Sequence, residues 1–318
     1  MTEAAIDLGT RAPGAHYSVM LPEVLAALAP ARGDVFIDAT AGSGGHSEAI
    51  LEAAPEVGVI AFDRDPLAVT RCRERLERFG TRARVVHSEF GRVEEWMRAN
   101  GVSAVSGLVA DLGVSSPQLA EAERGMSFRR EGPIDMRMDT TRGETARELI
   151  ERLTQDELAD VIYAYGGERR SRRVARCVKQ ALEADELTTT LNLRKAVVRA
   201  VGPHRVGGID PATKTFQALR IAVNRELDQL ESLLDSLSAV VAPGGVAALI
   251  SFHSLEDRMV KRAFLGDECF ERLTKKPVIP SPAELDENPR SRSAKLRAAR
   301  LVRPGQTAKT LPLEPVRS

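Results

Sequence analysis

The sequence predicts an α/β protein, a doubly wound and mostly parallel sheet interrupted by a helical insertion. Three observations lead there. Up to Asp111, short apolar runs alternate with amphipathic helical stretches, the pattern of strand–helix–strand units. The alternation then stops for about 90 residues that carry helix signals of their own. It resumes at Val246–Phe252, an apolar run that reads as a fully buried strand. The expected division is 1–116 for the first part of the core, 117–210 for the insertion and 211–318 for the second part.

Residues 1–15 lack periodicity and read as a loose tail, and Glu23–Leu28 as a short helix ended by Pro30 and Gly33. Val35, Phe36 and Ile37 form a strand ending in Asp38, followed by a turn through Gly42, Gly44 and Gly45 and a helix carrying Ala49, Ile50 and Leu51. Val57–Asp65 holds a second strand ending in Asp63. Pro66–Phe79 is a helix with Leu67, Val69, Cys72 and Leu76 on one face, stopped by Gly80. Arg84–His87 is a third strand, Val93–Asn100 a helix and Ser106–Asp111 a fourth strand.

In the insertion, Thr145 with Glu148 and Thr154 with Glu157 fit the capping box, in which hydroxyl and carboxylate satisfy free helix-start amides. Leu158, Val161, Ile162 and Tyr165 recur at helical spacing until Gly166-Gly167. Further helices are expected over Arg169–Glu183 and Thr190–Val201. Asp210-Pro211 then opens one long helix, Asp as N-cap and Pro where no amide is needed, striped by Phe216, Leu219, Val223, Leu227, Leu230 and Leu234. Pro243-Gly244-Gly245 turns into the fifth strand; a helix over Glu256–Phe264 and closing strands over Phe270–Ile279 and Lys295–Val302 follow, with disorder from about Pro304.

The 318 residues suffice for a sizeable core, and 45 basic residues balance 45 acidic ones, so global charge names no partner. Cys72, Cys177 and Cys269 form no C-x-x-C pair, and the five histidines show no zinc-ligand spacing, so neither a disulfide framework nor a metal is expected. No basic-then-apolar leader and no run of transmembrane length occurs, which points to a soluble, cytoplasmic protein without a membrane partner.

The glycine loop after the first strand is a cradle for a nucleotide-bearing ligand, because a helix start offers free amides and glycine lets the backbone lie against it. Asp63 stands about 20 residues after Gly42, where a carboxylate holds ribose hydroxyls. Phe90 sits where an aromatic can flank an adenine. Asp38, Asp63, Phe90 and Asp111 all fall at the carboxyl ends of strands, where such sheets gather ligands. A dinucleotide fingerprint wants a third glycine where Ser47 stands. The run Asp38-x-Thr40-x-Gly42-x-Gly44 instead resembles the first motif of S-adenosylmethionine (SAM) methyltransferases, with Thr40 in place of the usual first glycine.

From Asp111 onward the likeness becomes specific. His16–Leu21, Asp38–Ser47, Phe62–Asp65, Gly113–Gln118, Gly132–Asp139, Thr215–Asn224, Ser251–Arg258, Leu273–Lys276 and Asn288–Ser293 closely resemble, in order, the RsmH (MraW) family. The departures, Ser43 and Met126, touch no group assigned to chemistry. The resemblance implies a class I, Rossmann-like SAM-dependent methyltransferase that modifies N4 of a cytidine in the decoding (P-site) region of bacterial 16S rRNA, within the small ribosomal subunit. It implies a SAM site at Gly44, Gly45, His46, Asp63, Phe90, Asp111 and Gln118, and a helical insertion that recognises substrate.

The methyl donor is already activated by its positive sulfur, so the enzyme must position the nucleophile. An exocyclic amine needs an oxygen acceptor against its N–H, and Asp111 stands where amino-methyltransferases place theirs, though in an Asp-Leu-Gly-Val context rather than a Pro-Pro-aromatic one. Asp111 either binds cofactor alone or also orients the amine; His253 is a secondary possibility. Two basic clusters qualify as phosphate contacts: Arg169, Arg170, Arg172, Arg173, Arg176 and Lys179 on the insertion, and Arg290, Arg292, Lys295, Arg297, Arg300 and Arg303 near the end. Lys214 and Arg220 could also face substrate. The alternatives are a non-catalytic RNA-binding or ribosome-assembly factor on the same fold, and an NAD-dependent oxidoreductase. The intact loop and acids argue against the first, the missing glycine against the second.

Overall fold

Seven strands, all but one running the same way, make one sheet in the computed structural model, which describes residues 18–203 and 210–302. The tail expected over 1–15, His16-Tyr17, Gly207-Gly208, Arg303 and the end from Pro304 lie outside those residues. In chain order the first half comprises α1 (Leu21–Leu28), β1 (Val35–Asp38), α2 (Gly45–Ala53), β2 (Gly58–Asp63), α3 (Pro66–Leu76), β3 (Ala83–His87), α4 (Val93–Ala99) and β4 (Val105–Asp111). Helices α5 (Ser116–Ala120), α6 (Ala146–Arg152), α7 (Gln155–Gly166), α8 (Ser171–Glu183), α9 (Thr190–Val201), α10 (Thr213–Asn224) and α11 (Glu226–Val240) follow. The chain then closes with β5 (Val241–Ser251), α12 (Ser254–Gly266), β6 (Phe270–Arg272), α13 (Pro282–Glu287) and β7 (Lys295–Leu301).

The strand order is β3-β2-β1-β4-β5-β7-β6, with β7 antiparallel to both its neighbours. The chain steps outward from β1 to β3, then returns to the other side of β1 as β4. The crevice beyond the carboxyl ends of β1 and β4 is therefore the switch point where such sheets bind ligands. Alternate residues of the central strands feed opposite faces. Phe36, Val59 and Ala61 pack with Val24, Ile50, Leu51 and Cys72 of α1–α3. Ile37, Ile60 and Phe62 pack with Met97, Leu230, Leu233, Leu237 and Val260 of α4, α11 and α12. A third cluster, including Ile134, Ile150, Leu158, Ile162, Val174, Val178 and Val197, is the core of the helical lobe. Both threonine capping boxes form, and Gly167 ends α7 at φ 61°.

The long helix expected from Asp210 is two. Asp210 caps a turn by accepting from the Ala212 amide, the helix proper starts at Thr213, and Arg225 breaks it at φ 51°. The two halves serve different cores: Phe216 and Leu219 belong to the helical lobe, whereas Leu230, Leu233 and Leu237 lie on the sheet. The strand expected over Phe270–Ile279 stops at Arg272. The Leu273 and Thr274 amides both donate to the Ala298 carbonyl, which ends the regular ladder, and Val278 regains a single bridge to Leu296.

Candidate active site

A cavity of about 220 Å³ opens at the switch point. Its near wall is the loop after β1. Gly42 and Gly44 adopt φ 53° and 84°, left-handed values that glycine takes without strain. Asp38 holds the loop from below, accepting from the Thr40 amide and the Ser47 hydroxyl, and desolvation raises its pKa to about 6. Thr40, where many such loops have glycine, accepts from the Asp111 amide at 2.6 Å and so ties the loop to β4.

Gly45, His46, Asp63, Phe90, Asp111 and Gln118 all line this cavity. Gly44 does not: it makes the turn, and a Cβ there would lie 3.1 Å from the Cys72 sulfur. Asp63 Oδ2 accepts from the Gly42 amide and Oδ1 from the Asp65 amide, each at 2.8 Å. Two of the carboxylate's four lone-pair positions remain for a ligand. Desolvation raises its pKa to about 6 against those two hydrogen bonds, and the charges of Asp65 and Asp38 push the same way. His46 donates from Nε2 to the Val19 carbonyl; burial takes its pKa down to about 4, so the ring is neutral. Its imidazole anchors the segment entering α1. Phe90 is half-buried in a turn after β3.

Asp111 has a buried Oδ1 with no hydrogen-bond partner. Desolvation, then the charges of Asp38, Glu256 and Glu284, hold its pKa well above the usual carboxylate range. Gln118 uses both ends of its amide, donating to Asp65 Oδ2 and accepting from the Ser115 amide. It is a fixed strut of the wall. Asp65 also caps α3 and forms a buried ion pair with Arg124, 2.7 Å, whose guanidinium also donates to the Met138 carbonyl. Sequence reasoning missed that pair, although Asp65-Pro66 is a readable N-cap.

The far wall contains Arg220, Glu226, Phe252 and Glu256. Arg220 chelates Glu226 through Nε and Nη2, both at 2.8 Å. Glu256 accepts from the Phe252 and His253 amides. Burial alone would raise its pKa, but the neighbouring His253, the Phe252 amide and the charge of Arg220 bring it below the ordinary value. His253 is the N-cap of α12 and lies behind this wall; its Nδ1 accepts from the Glu256 amide. Glu226, His253 and Glu256 are close enough to share a metal ion. Two features work against it: Arg220 already neutralises the Glu226 charge, and an Nδ1 acceptor leaves the proton on Nε2.

Of the other residues expected to face substrate, Lys214 reaches the Gly167 carbonyl at the end of α7. Arg172 pairs with Asp156 and Asp160, and Lys179 reaches carbonyls ending α6, whereas Arg169, Arg173 and Arg176 are exposed. The second basic cluster does not survive as a unit. It has no acid in its own sequence, but Lys295 and Arg297 meet Asp257 of α12, and Arg300 meets Glu271 of β6. Arg290 and Arg292 stay exposed, and Arg290 borders the cavity.

The residues fit an adenosyl ligand with a cationic end. The open lone pairs of Asp63 suit a ribose, and the unpartnered Asp111 oxygen and anionic Glu256 suit positive charge. A glycine-rich loop after the first strand, an acid ending the second and another ending the fourth, around one switch-point cavity, define a class I SAM-dependent methyltransferase. The profile of the MraW methylase family matches residues 14–302, and the chain belongs to that family. It is 63% identical, over 90% of this chain and 91% of the relative, to "Ribosomal RNA small subunit methyltransferase H" of Sorangium cellulosum. To the protein of the same name from Synechococcus elongatus it is 49% identical, over 91% and 95%. A solved rRNA methylase from Streptococcus thermophilus aligns over 89% of this chain and 94% of that one at 10% identity and TM-score 0.42; at that distance nothing follows for the site. No helix among the described residues is long and apolar enough to cross a membrane.

Proposed function

We propose that this chain transfers a methyl group from SAM to N4 of a cytidine in bacterial 16S rRNA, in the cytoplasm and within the small ribosomal subunit. The observation that carries this reading is Asp111, a carboxyl ending β4 with a buried, unpartnered oxygen in the wall of the cofactor cavity. The names of its relatives support the substrate.

SAM supplies an electrophilic methyl on a cationic sulfur; the chain's own residues do the rest. Asp63 and the loop from Thr40 to His46 hold the adenosyl part, with Phe90 beside the base. Positive charge in the cavity favours the ionised form of Asp111. Its carboxylate then accepts an N–H of the amine, pushes electron density toward nitrogen, and takes up the released proton. The target base must leave its stack or lie in unpaired RNA to reach so deep a point. The helical lobe over 117–210, with Arg169, Arg173 and Arg176 exposed on it, is the part that grips RNA, with Ala212, Phe216 and Leu219 of the next segment packed into its core.

Asp111→Asn tests the assignment. The variant should bind S-adenosylhomocysteine (SAH) within about threefold of the parent and lose about 100-fold or more in turnover at saturating SAM, the scale of general-base removal. Unchanged turnover there would reduce Asp111 to a cofactor contact.

A further inference from the structure

The far wall of the cavity holds a rigid cation that the cofactor site does not need. Arg220 is 15% exposed and Glu226 8%. The chelate spends Nε and Nη2, and among the described residues Nη1 has no hydrogen-bond partner although Arg220 borders the cavity.

The pair exists because of the helix break. Residues six apart on a continuous helix point about 120° away from each other, so Arg220 and Glu226 would not meet. Arg225, a non-glycine residue at φ 51°, turns the chain so that Glu226 opens α11 and faces back. A left-handed non-glycine residue costs about 1 kcal/mol or more, and such strain concentrates at functional sites. Asn224 holds the break in place, its side chain bonded to the Met136 carbonyl and the Met138 amide and its carbonyl to Arg64.

The same cavity is also lined by an aromatic ring. Phe252 lines the cavity against Gly113, where φ is 126° and a Cβ would come within 3.2 Å of the ring. A base pocket of this kind reads the Watson–Crick edge by hydrogen bonds and the ring face by stacking. Cytosine offers an amine donor beside two acceptors, N3 and O2, whereas uracil has a carbonyl and an N–H in the first two positions. One fixed donor and one fixed carboxylate are the complement of cytosine and clash with uracil.

We propose that Arg220, held by Glu226, selects the acceptor base, its Nη1 donating to the N3/O2 edge of a cytosine stacked on Phe252 with the amine turned toward Asp111. This rests on the reading of the substrate as a cytidine.

The test uses the full chain, labelled SAM, and small ribosomal subunits from a strain lacking this gene. Arg220→Lys keeps the charge but loses the chelate; kcat should fall about 30-fold, within the range of one base-edge contact. KM for subunits and the SAH Kd should each move less than threefold, because phosphates and the glycine loop supply those affinities. Glu226→Gln, which leaves Arg220 in place but loosens it, should lose about tenfold in kcat. If the wild type yields no N4-methylcytidine on nucleoside digestion, the cytidine reading fails and the pocket with it. If it does, and Arg220→Lys keeps kcat within threefold, or loses SAH affinity in parallel, the base-selecting role alone is overturned. Should Arg220→Lys not fold, an unchanged kcat in Glu226→Gln overturns it equally.

Discussion

Cofactor affinity in this site should depend on pH through Asp63. Desolvation outweighs the two amides that its carboxyl accepts from and, with Asp65 and Asp38 adding repulsion, raises its pKa to about 6. The native value lies above the ordinary 3.8, so the native state holds this proton more tightly than the unfolded chain does. The stability this contributes is full below pH 3.8 and is lost as pH rises through 6. Ribose hydroxyls donating to the carboxylate favour the ionised form and reverse that preference. At pH 7 about ten-elevenths of the groups are ready for ligand; at pH 5 about one-eleventh. The SAH Kd should therefore weaken about tenfold between those pH values, or about 1.4 kcal/mol. Titration calorimetry in buffers of different ionisation enthalpy should show close to one proton released per SAH at pH 5. The dependence should persist in Asp111→Asn and vanish in Asp63→Asn. A flat Kd from pH 5 to 7, or a slope that survives in Asp63→Asn, would refute the ribose role of Asp63.

Arg124→Met leaves Asp65 buried without its cation, and breaking such a pair from one side costs about 3–5 kcal/mol; denaturant midpoints should show it, with much of the loss recovered in Asp65→Asn/Arg124→Met. Charge reversal of Arg169, Arg173 and Arg176 should weaken binding to small-subunit RNA and flatten its log Kd–log salt slope by about 2, at about 0.7 per phosphate contact on single strands; an unchanged slope would place the RNA elsewhere.

The strand–loop–helix cradle and its acids were legible because each is written in consecutive residues: an apolar run, an acid, a glycine turn. Capping boxes were legible for the same reason. What stayed hidden depends on chain segments meeting. Asp65 and Arg124 are 59 residues apart, and nothing local to either says they touch. The break at Arg225 is invisible in a hydrophobic stripe whose period runs unbroken from Phe216 to Leu234, because the stripe records burial and not which core receives it. The terminal basic run looked free of acids for the same reason: Asp257 and Glu271 reach it from other elements. Thr40 read as a departure from the glycine pattern, and its hydroxyl proves to be the link between the loop and β4.

Delivery of a methyl group by these acids to a cytosine amine of small-subunit rRNA is tested by nucleoside mass spectrometry of 16S rRNA from cells with and without this gene. Loss of N4-methylated cytidine from the deletion strain, restored by the wild-type gene and not by the Asp111→Asn form, is the predicted result. An identical methylated-cytidine signal in both strains would contradict it.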